Sequence, residues 1–142
     1  MQRMSHETYT PVLREIIGAF YEVYNILGFG FLESHYAAAM ERKLVARGLE
    51  VSREHAVQVM FEGEEIGFHR LDFIVNGTVV VELKSAPLLP PIARQQLYNY
   101  LRATNLEAGL LLHFGPVPRF HKMFVINTTR VSALPVASSS NN

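Results

Sequence analysis

Asp72, Glu82 and Lys84 are the residues of this sequence whose types and spacing suggest chemistry. They lie in two apolar stretches, LDFIV (71–75) and TVVVELKS (78–85), which flank an Asn-Gly pair. Such a pair between apolar runs is a strong signal for a β-hairpin. Because a charge in a half-buried strand is costly without a partner, we expect these acids to have a cation nearby.

The register of the hairpin decides which side chains share a face. A two-residue turn would place Leu71 opposite Glu82, whereas a three-residue loop pairs Phe73 with Val79 and Leu71 with Val81. A one-residue slip turns every side chain to the other face, so burial of the apolar residues favours the second register. This register collects four charged side chains on the opposite face: Arg70, Asp72, Glu82 and Lys84.

Asp72 and Glu82 would then lie diagonally across adjacent strands. Two carboxylates about 4 Å apart repel by about 4 kcal/mol at an effective dielectric of about 20, and either Lys84 or a divalent metal would relieve the repulsion. Oxygen ligands favour Mg²⁺ or Mn²⁺, which polarises a phosphoryl oxygen and generates hydroxide. Lys84 would then orient the attacking water or stabilise the developing charge on the phosphate. The alternative is that so short a pattern consists of solvated surface residues, which is the more frequent case for the pattern alone.

Changes in hydrophobic periodicity predict the elements that position these side chains. Thr10 can cap the first helix, Pro11 suits its first position, and Gly48 ends the second helix. The predicted order is α-α-β-β-β-α-β-β, an α/β fold with a central mixed sheet flanked by helices. The predicted helices are 10–27, 32–47 and 92–103, and the predicted strands are 51–61, 66–75, 78–84, 109–114 and 123–127.

Three further polar residues occur at helical positions that could face the hairpin. Glu33 begins the second helix beside apolar positions, where it serves either as a metal ligand or as an acid that complements the helix dipole. Gln96 and Tyr100 are four residues apart on one face of the third helix. Their alternative roles are a surface glutamine and a core tyrosine with a solvated hydroxyl.

Taken together, these stretches resemble the GxxExxY proteins, a branch of the PD-(D/E)XK nuclease superfamily. The resemblance spans about residues 10–128. It rests on five motifs in order: Gly30-x-x-Glu33-x-x-Tyr36, Arg70-Leu71-Asp72, Val81-Glu82-Leu83-Lys84, the run from Gln96 to Tyr100, and Gly109 to Gly115.

The resemblance implies a restriction-endonuclease-like αβββαβ core and a catalytic site whose residues are Asp72, Glu82, Lys84 and Gln96. By this analogy Asp72 and Glu82 bind the metal, Glu33 is an additional metal ligand, and Lys84 is the catalytic lysine. Gln96 would position substrate or water, with Tyr100 supporting it at the substrate-binding surface.

Two residues, Arg70 and His113, are not explained by this resemblance. Arg70 is assigned from its predicted face alone, as a residue that contacts a phosphate. His113 stands where the family usually has asparagine, which alters the pocket without removing a proposed ligand.

Composition limits the class of protein. With 142 residues and no cysteine, the chain predicts one domain over residues 1–135, a disordered polar tail over 136–142 and a cytoplasmic location. No apolar run reaches the roughly 18–20 residues of a membrane span. The six histidines show no zinc-binding spacing. The resemblance implies nucleic acid, DNA in preference to RNA, as partner and agrees with Mg²⁺ or Mn²⁺ as cofactor; homo-oligomerisation is left open.

The alternative function is a catalytically inactive nuclease-like fold that serves as a binding or oligomerisation module. A net charge of +0 favours it slightly, as does the apolar loop 86–92, whose Leu88 and Leu89 could form a contact surface. Against it, the acidic positions and Lys84 are all present.

Overall fold

The computed structural model describes residues 6–126, which form a five-stranded mixed sheet with helices on both faces. The strands lie in sequence order; β3 and β4 are parallel, and the other neighbours are antiparallel. A parallel pair needs a crossover, and α3 provides it. The elements are α1 (His6–Leu27), α2 (Glu33–Ala46), β1 (Val51–Phe61), β2 (Glu64–Val75), β3 (Val79–Ser85), α3 (Ala93–Arg102), β4 (Ala108–Phe114) and β5 (Pro118–Phe124).

The element order matches the prediction, but α1 extends beyond its predicted start at Thr10. His6 is already helical, so Pro11 lies inside the helix. The first turn is held by aromatic packing, because the His6 ring stacks on Phe124 of β5 at 3.8 Å and Tyr9 lies 6.0 Å from the same ring. This packing compensates for the backbone hydrogen bond that Pro11 cannot make.

The last strand was predicted over 123–127 and is found at Pro118–Phe124. Residues 115–117 turn the chain directly back from β4, so β5 pairs antiparallel with β4 along its whole length. β5 is a partly exposed edge strand that begins with a proline. Because it contains several polar residues, its sequence lacks the apolar pattern from which a strand would be predicted. Asn127 and the predicted tail over 136–142 lie outside the described residues.

The β2–β3 hairpin has the predicted three-residue loop, but the predicted pairs are wrong. Phe73 pairs with Val81 and Val75 with Val79, instead of Phe73 with Val79 and Leu71 with Val81. The Asn and Gly of the loop both adopt positive φ, 53° and 64°, and the threonine that follows them is the third loop residue. Because the shift is two residues, the β3 side chains keep their predicted faces.

Strand β2 changes face at Asp72. Phe73 packs beneath α1 and α2, whereas Leu71 packs beneath α3. Beside Asp72 on β1, Glu54 has φ of 52°, and the β1–β2 ladder omits this pair. The prediction of one apolar face is therefore wrong for Leu71. Before this point in the strand, the side chain that faces α3 is His69 and not Arg70.

Two apolar clusters cover the sheet, one beneath α1 and α2 and one beneath α3. β3 and β4 are buried on both faces, as expected of parallel strands at the centre of a sheet. At Gly109 a Cβ atom would lie 3.0 Å from the Leu101 side chain, so glycine allows α3 to approach β4 closely. The core thus fixes α3 on the face of the sheet to which Val80, and by alternation Glu82, belongs.

The loop before α2 is tied to the core by one tyrosine. Tyr36 is fully buried and stacks on Phe114 at 4.0 Å. Its hydroxyl donates to the Gly28 carbonyl and accepts from the Phe31 N–H at 3.2 Å. This tyrosine therefore sets the position from which Glu33 enters α2.

Replacing Tyr36 by phenylalanine should lower the free energy of unfolding by about 1–2 kcal/mol, because the ring packing remains but two hydrogen bonds are lost. Urea denaturation measures the change. Tyr21→Phe is the matched control, since the Tyr21 hydroxyl has no hydrogen bond within residues 6–126 and its ring is 37% exposed. Equal losses in both variants would contradict this role for the Tyr36 hydroxyl.

Candidate active site

β2 and β3 separate just beyond their last backbone pair, and two carboxylates bridge the gap. The ladder ends at Phe73 and Val81. One residue further, the Asp72 N–H donates to Glu82 Oε2 at 2.7 Å, and the Leu83 N–H donates to Asp72 Oδ2 at 2.7 Å. Each carboxylate is thus fixed by the backbone of the other strand, which holds the two acids side by side.

This proximity is visible in the electrostatics of Asp72. Burial, together with the charges of Glu82 and Glu33, raises the pKa of Asp72 to about 6. The Leu83 N–H and the Lys84 ammonium act in the opposite direction but do not cancel the rise in pKa. The site therefore carries more negative charge than its surroundings neutralise, which favours uptake of a proton or of a cation.

Glu33 joins this site from α2. Its Oε2 accepts a hydrogen bond from the Ser85 N–H at 3.1 Å, and Ser85 Oγ donates to the Phe31 carbonyl at 2.6 Å. These two bonds connect the start of α2 to the end of β3. Glu33 is solvent-exposed, so it can approach a ligand at the rim of the site.

Lys84 lies two residues beyond Glu82 on the same face of β3. It is half-buried, and it makes no hydrogen bond or ion pair with any other residue in the described range 6–126. Its charge nevertheless lowers the pKa of Asp72. Lys84 is therefore close enough to act on the carboxylates and free to contact a ligand.

His69 is a site residue that the sequence analysis missed. Its Nε2 lies 3.3 Å from Glu82 Oε1, and its ring stacks on Tyr100 at 3.9 Å with 6° between the planes. Burial raises the pKa of Tyr100, and the charge of Glu82 adds to the rise. Alternation along β2 had pointed to Arg70, and no sequence signal marked the change of face at Asp72.

Gln96 and Arg70 are not drawn into these contacts. Gln96 lies one turn before Tyr100 on the same helix face, half-buried, and its side chain forms no hydrogen bond within residues 6–126. Arg70 is exposed, with its guanidinium 5.3 Å from the centre of the Phe68 ring. The structure thus brings Glu33, Asp72, Glu82, Lys84 and Tyr100 together, with Gln96 adjacent and Arg70 turned away.

The donor set suits a hard divalent cation, although residues 6–126 contain no group of three or more His, Cys, Asp or Glu side chains that could hold a metal. Mg²⁺ is commonly bound by one or two carboxylates and completes its shell with water and phosphate oxygens. Asp72 Oδ1 is free of hydrogen bonds in the described part of the chain. An acid whose pKa is raised by its neighbours is stabilised by such an ion.

Restriction-endonuclease-like nucleases have this arrangement: a mixed sheet flanked by helices, with two carboxylates and a lysine where two strands separate. The sequence model of the PD-(D/E)XK nuclease superfamily matches residues 10–124, and the chain belongs to this superfamily. Its members generally use divalent metals. The predicted fold class and the predicted superfamily are confirmed.

One solved structure with this fold is titled the crystal structure of SSO0001. It is 21% identical, with a TM-score of 0.50, over 86% of this chain and 63% of that chain. The chain therefore spans less than two thirds of the length of that protein, and the likeness concerns the fold alone. No curated protein matches the sequence. Within residues 6–126, no helix has the length and apolar character required to cross a membrane.

Asp72→Asn should stabilise the metal-free protein by about 2 kcal/mol at pH 8, allowing for solvent screening at a partly exposed site. The pKa of Asp72 in the folded protein, about 6, lies above the ordinary aspartate value of 3.8. The native state therefore binds the proton more tightly, and wild-type stability falls as pH rises from about 4 to about 6. The gain from the substitution should be complete above this window and absent below it.

Urea denaturation between about pH 4 and pH 8 measures this difference. The control is Glu64→Gln, because Glu64 is an exposed carboxylate on the same strand. A gain that does not depend on pH, or a loss of stability at pH 8, would show that charge crowding does not govern Asp72.

Proposed function

We propose that this protein is a divalent-metal-dependent nuclease that hydrolyses phosphodiester bonds of nucleic acid, with DNA as the first substrate to test. The observation that carries the proposal is the pair of reciprocal bonds that holds Asp72 beside Glu82, with Lys84 unpaired next to them. Superfamily membership supports the same reaction class. The motif from Gly30 to Tyr36 supports assignment to the GxxExxY branch.

Asp72 and Glu82 would hold Mg²⁺ or Mn²⁺, with Glu33 contributing at the rim. When bound, such an ion polarises a phosphoryl oxygen and lowers the pKa of bound water. The carboxylates have a further role of their own: their backbone bonds fix them before any ligand arrives. A preorganised site of this kind loses little free energy to reorganisation during the reaction.

Lys84 would stabilise negative charge on the phosphate or orient the attacking water. A lysine ammonium has three donors and no acceptor, so an unpaired lysine beside two acids is suited to an anionic ligand or a water molecule. Gln96 would align the same water or the phosphate from α3. Tyr100 would support this arrangement through its stack with His69.

Titration of Mn²⁺ into the wild-type protein should show about one strongly bound ion per chain, and Asp72→Asn should abolish this binding because it removes a charged ligand. Isothermal calorimetry measures both. Glu64→Gln is again the control, and it should bind Mn²⁺ like the wild type.

Lys84→Met should reduce Mn²⁺-dependent cleavage of DNA by about 100-fold or more, the usual effect of losing a group that stabilises transition-state charge. Release of labelled fragments measures the rate. Lys122→Met is the matched control, since Lys122 is exposed on β5. If the wild type binds Mn²⁺ but cleaves neither DNA nor RNA, the protein is better explained as a catalytically inactive binding module. The surface around Leu88, which is 83% exposed, would then be tested for binding of a partner.

His69→Phe should weaken Mn²⁺ binding by about tenfold or more, because loss of a group that orients a metal ligand typically costs this much. The phenyl ring can keep the stack on Tyr100 while the hydrogen bond to Glu82 is lost. The control is His6→Phe, whose ring stacks on Phe124 at the other end of the sheet. Unchanged Mn²⁺ affinity in His69→Phe would assign His69 to packing alone.

A further inference from the structure

A row of basic side chains crosses the sheet beside the candidate active site. Lys84 of β3 is the register partner of His113 on β4, and His113 is the partner of Arg119 on β5. All three lie on the α3 face, since Leu111 and Met123 of the same strands pack beneath α3. Neighbouring strands are about 4.8 Å apart, so the row leads from Lys84 to Arg119 over about 10 Å.

The outer end of this row lines an open cavity. His113, Arg119 and His121 form one wall, and the Pro87–Leu89 loop and the β4–β5 turn form the other. Arg94 of α3 is not part of the lining but contacts it, because its Nη2 lies 2.7 Å from His121 Nδ1. A guanidinium has only donors, so His121 Nδ1 accepts and this imidazole is neutral.

No acid within residues 6–126 neutralises the two guanidinium groups, Arg94 and Arg119. Neither Arg94 nor Arg119 forms an ion pair with any carboxylate of residues 6–126, and no acidic residue lines the cavity. Arg94 lies in the first turn of α3, which contains no acid. A cation at this end of a helix opposes the helix dipole, and an anion bound there would remove the conflict.

The state of His121 reflects the same excess of positive charge. Burial lowers the pKa of His121, and the charges of Arg94, His113 and Arg119 lower it further. The His113 ring is held in place because its Nε2 donates to the Ala86 carbonyl at 2.8 Å. The exposed guanidinium groups of Arg94 and Arg119 therefore lie beside His121 without a neutralising acid, while the buried His113 ring forms the base of the cavity wall.

We propose that Arg94, Arg119 and His121 form a second phosphate-binding subsite, which holds the DNA backbone one or two nucleotides from the phosphate at Lys84. This inference rests on the proposed nuclease function, because it takes the strand to run from the active site along the basic row. Guanidinium groups suit the subsite because they bind phosphate with two parallel hydrogen bonds. Leu88 and Leu89 on the opposite wall would contact a sugar or base.

The test is the binding of a fluorescein-labelled single-stranded DNA of roughly 20 nucleotides, measured by fluorescence anisotropy without divalent metal so that no cleavage occurs. The double variant Arg94→Gln/Arg119→Gln should bind about tenfold more weakly than the wild type. The slope of log K against log salt should become shallower by about 1.4, from two lost phosphate contacts on a single strand. The variant Arg94→Gln/Arg119→Lys, which keeps the positive charge at position 119, should bind the DNA more tightly than the double glutamine variant.

The matched control is Arg14→Gln/Arg42→Gln, which removes two exposed arginines from α1 and α2 that form no ion pairs within residues 6–126. Equal affinity and salt slope in the two double variants would overturn the subsite even if the protein cleaves DNA. Absence of DNA binding by the wild type would overturn it as well. Binding that depends on Arg94 and Arg119 without any metal-dependent cleavage would support the subsite and reject the nuclease.

Discussion

The candidate site depends on the separation of β2 from β3 and on the reciprocal bonds that bridge it. Asp72 and Glu82 take the places that backbone carbonyls would occupy in a continuing ladder, each accepting from an N–H of the opposite strand. A ladder that continued would leave both carboxylates free to rotate. Because the ladder stops here, two like charges are held together by the backbone itself. Every other feature of the site is arranged around this pair.

Three helices and a buried core hold the partners of this pair in place. Tyr36 fixes the start of α2, and the Ser85 N–H donates a hydrogen bond to Glu33 of that helix. On the other face, α3 packs closely against Gly109 and presents Tyr100, which stacks on His69. Each of the two helical layers thus places one side chain near the acidic pair: Glu33 from α2 and Tyr100 from α3. Rigid elements position catalytic groups more accurately than loops do, and this site uses a loop only at its rim.

Holding the acids together has a cost in stability. Burial and the charge of Glu82 raise the pKa of Asp72 to about 6, so its charged form is less favourable in the folded protein than in the unfolded chain. A domain of this size has a total stability of about 5–15 kcal/mol, so a penalty of about 2 kcal/mol is appreciable. Next to it lies the opposite imbalance, the unneutralised cations at Arg94 and Arg119. A phosphate chain with its bound cation would complement both regions, which links the two halves of the surface electrostatically.

The sequence by itself determined the element order, the β1 strand at 51–61, the three-residue hairpin loop and the grouping of Asp72, Glu82 and Lys84. These follow from local periodicity, turn chemistry and the cost of isolated charges, which act over a few residues. The sequence placed Glu33 with them only through the resemblance to a known family. It did not determine the hairpin pairing, the β5 strand or the place of His69. Those depend on the positive φ at Glu54, the change of face at Asp72 and the return of the chain after β4. Tertiary structure decided them because strand faces and edge pairing are set by neighbouring strands, which a local pattern does not contain.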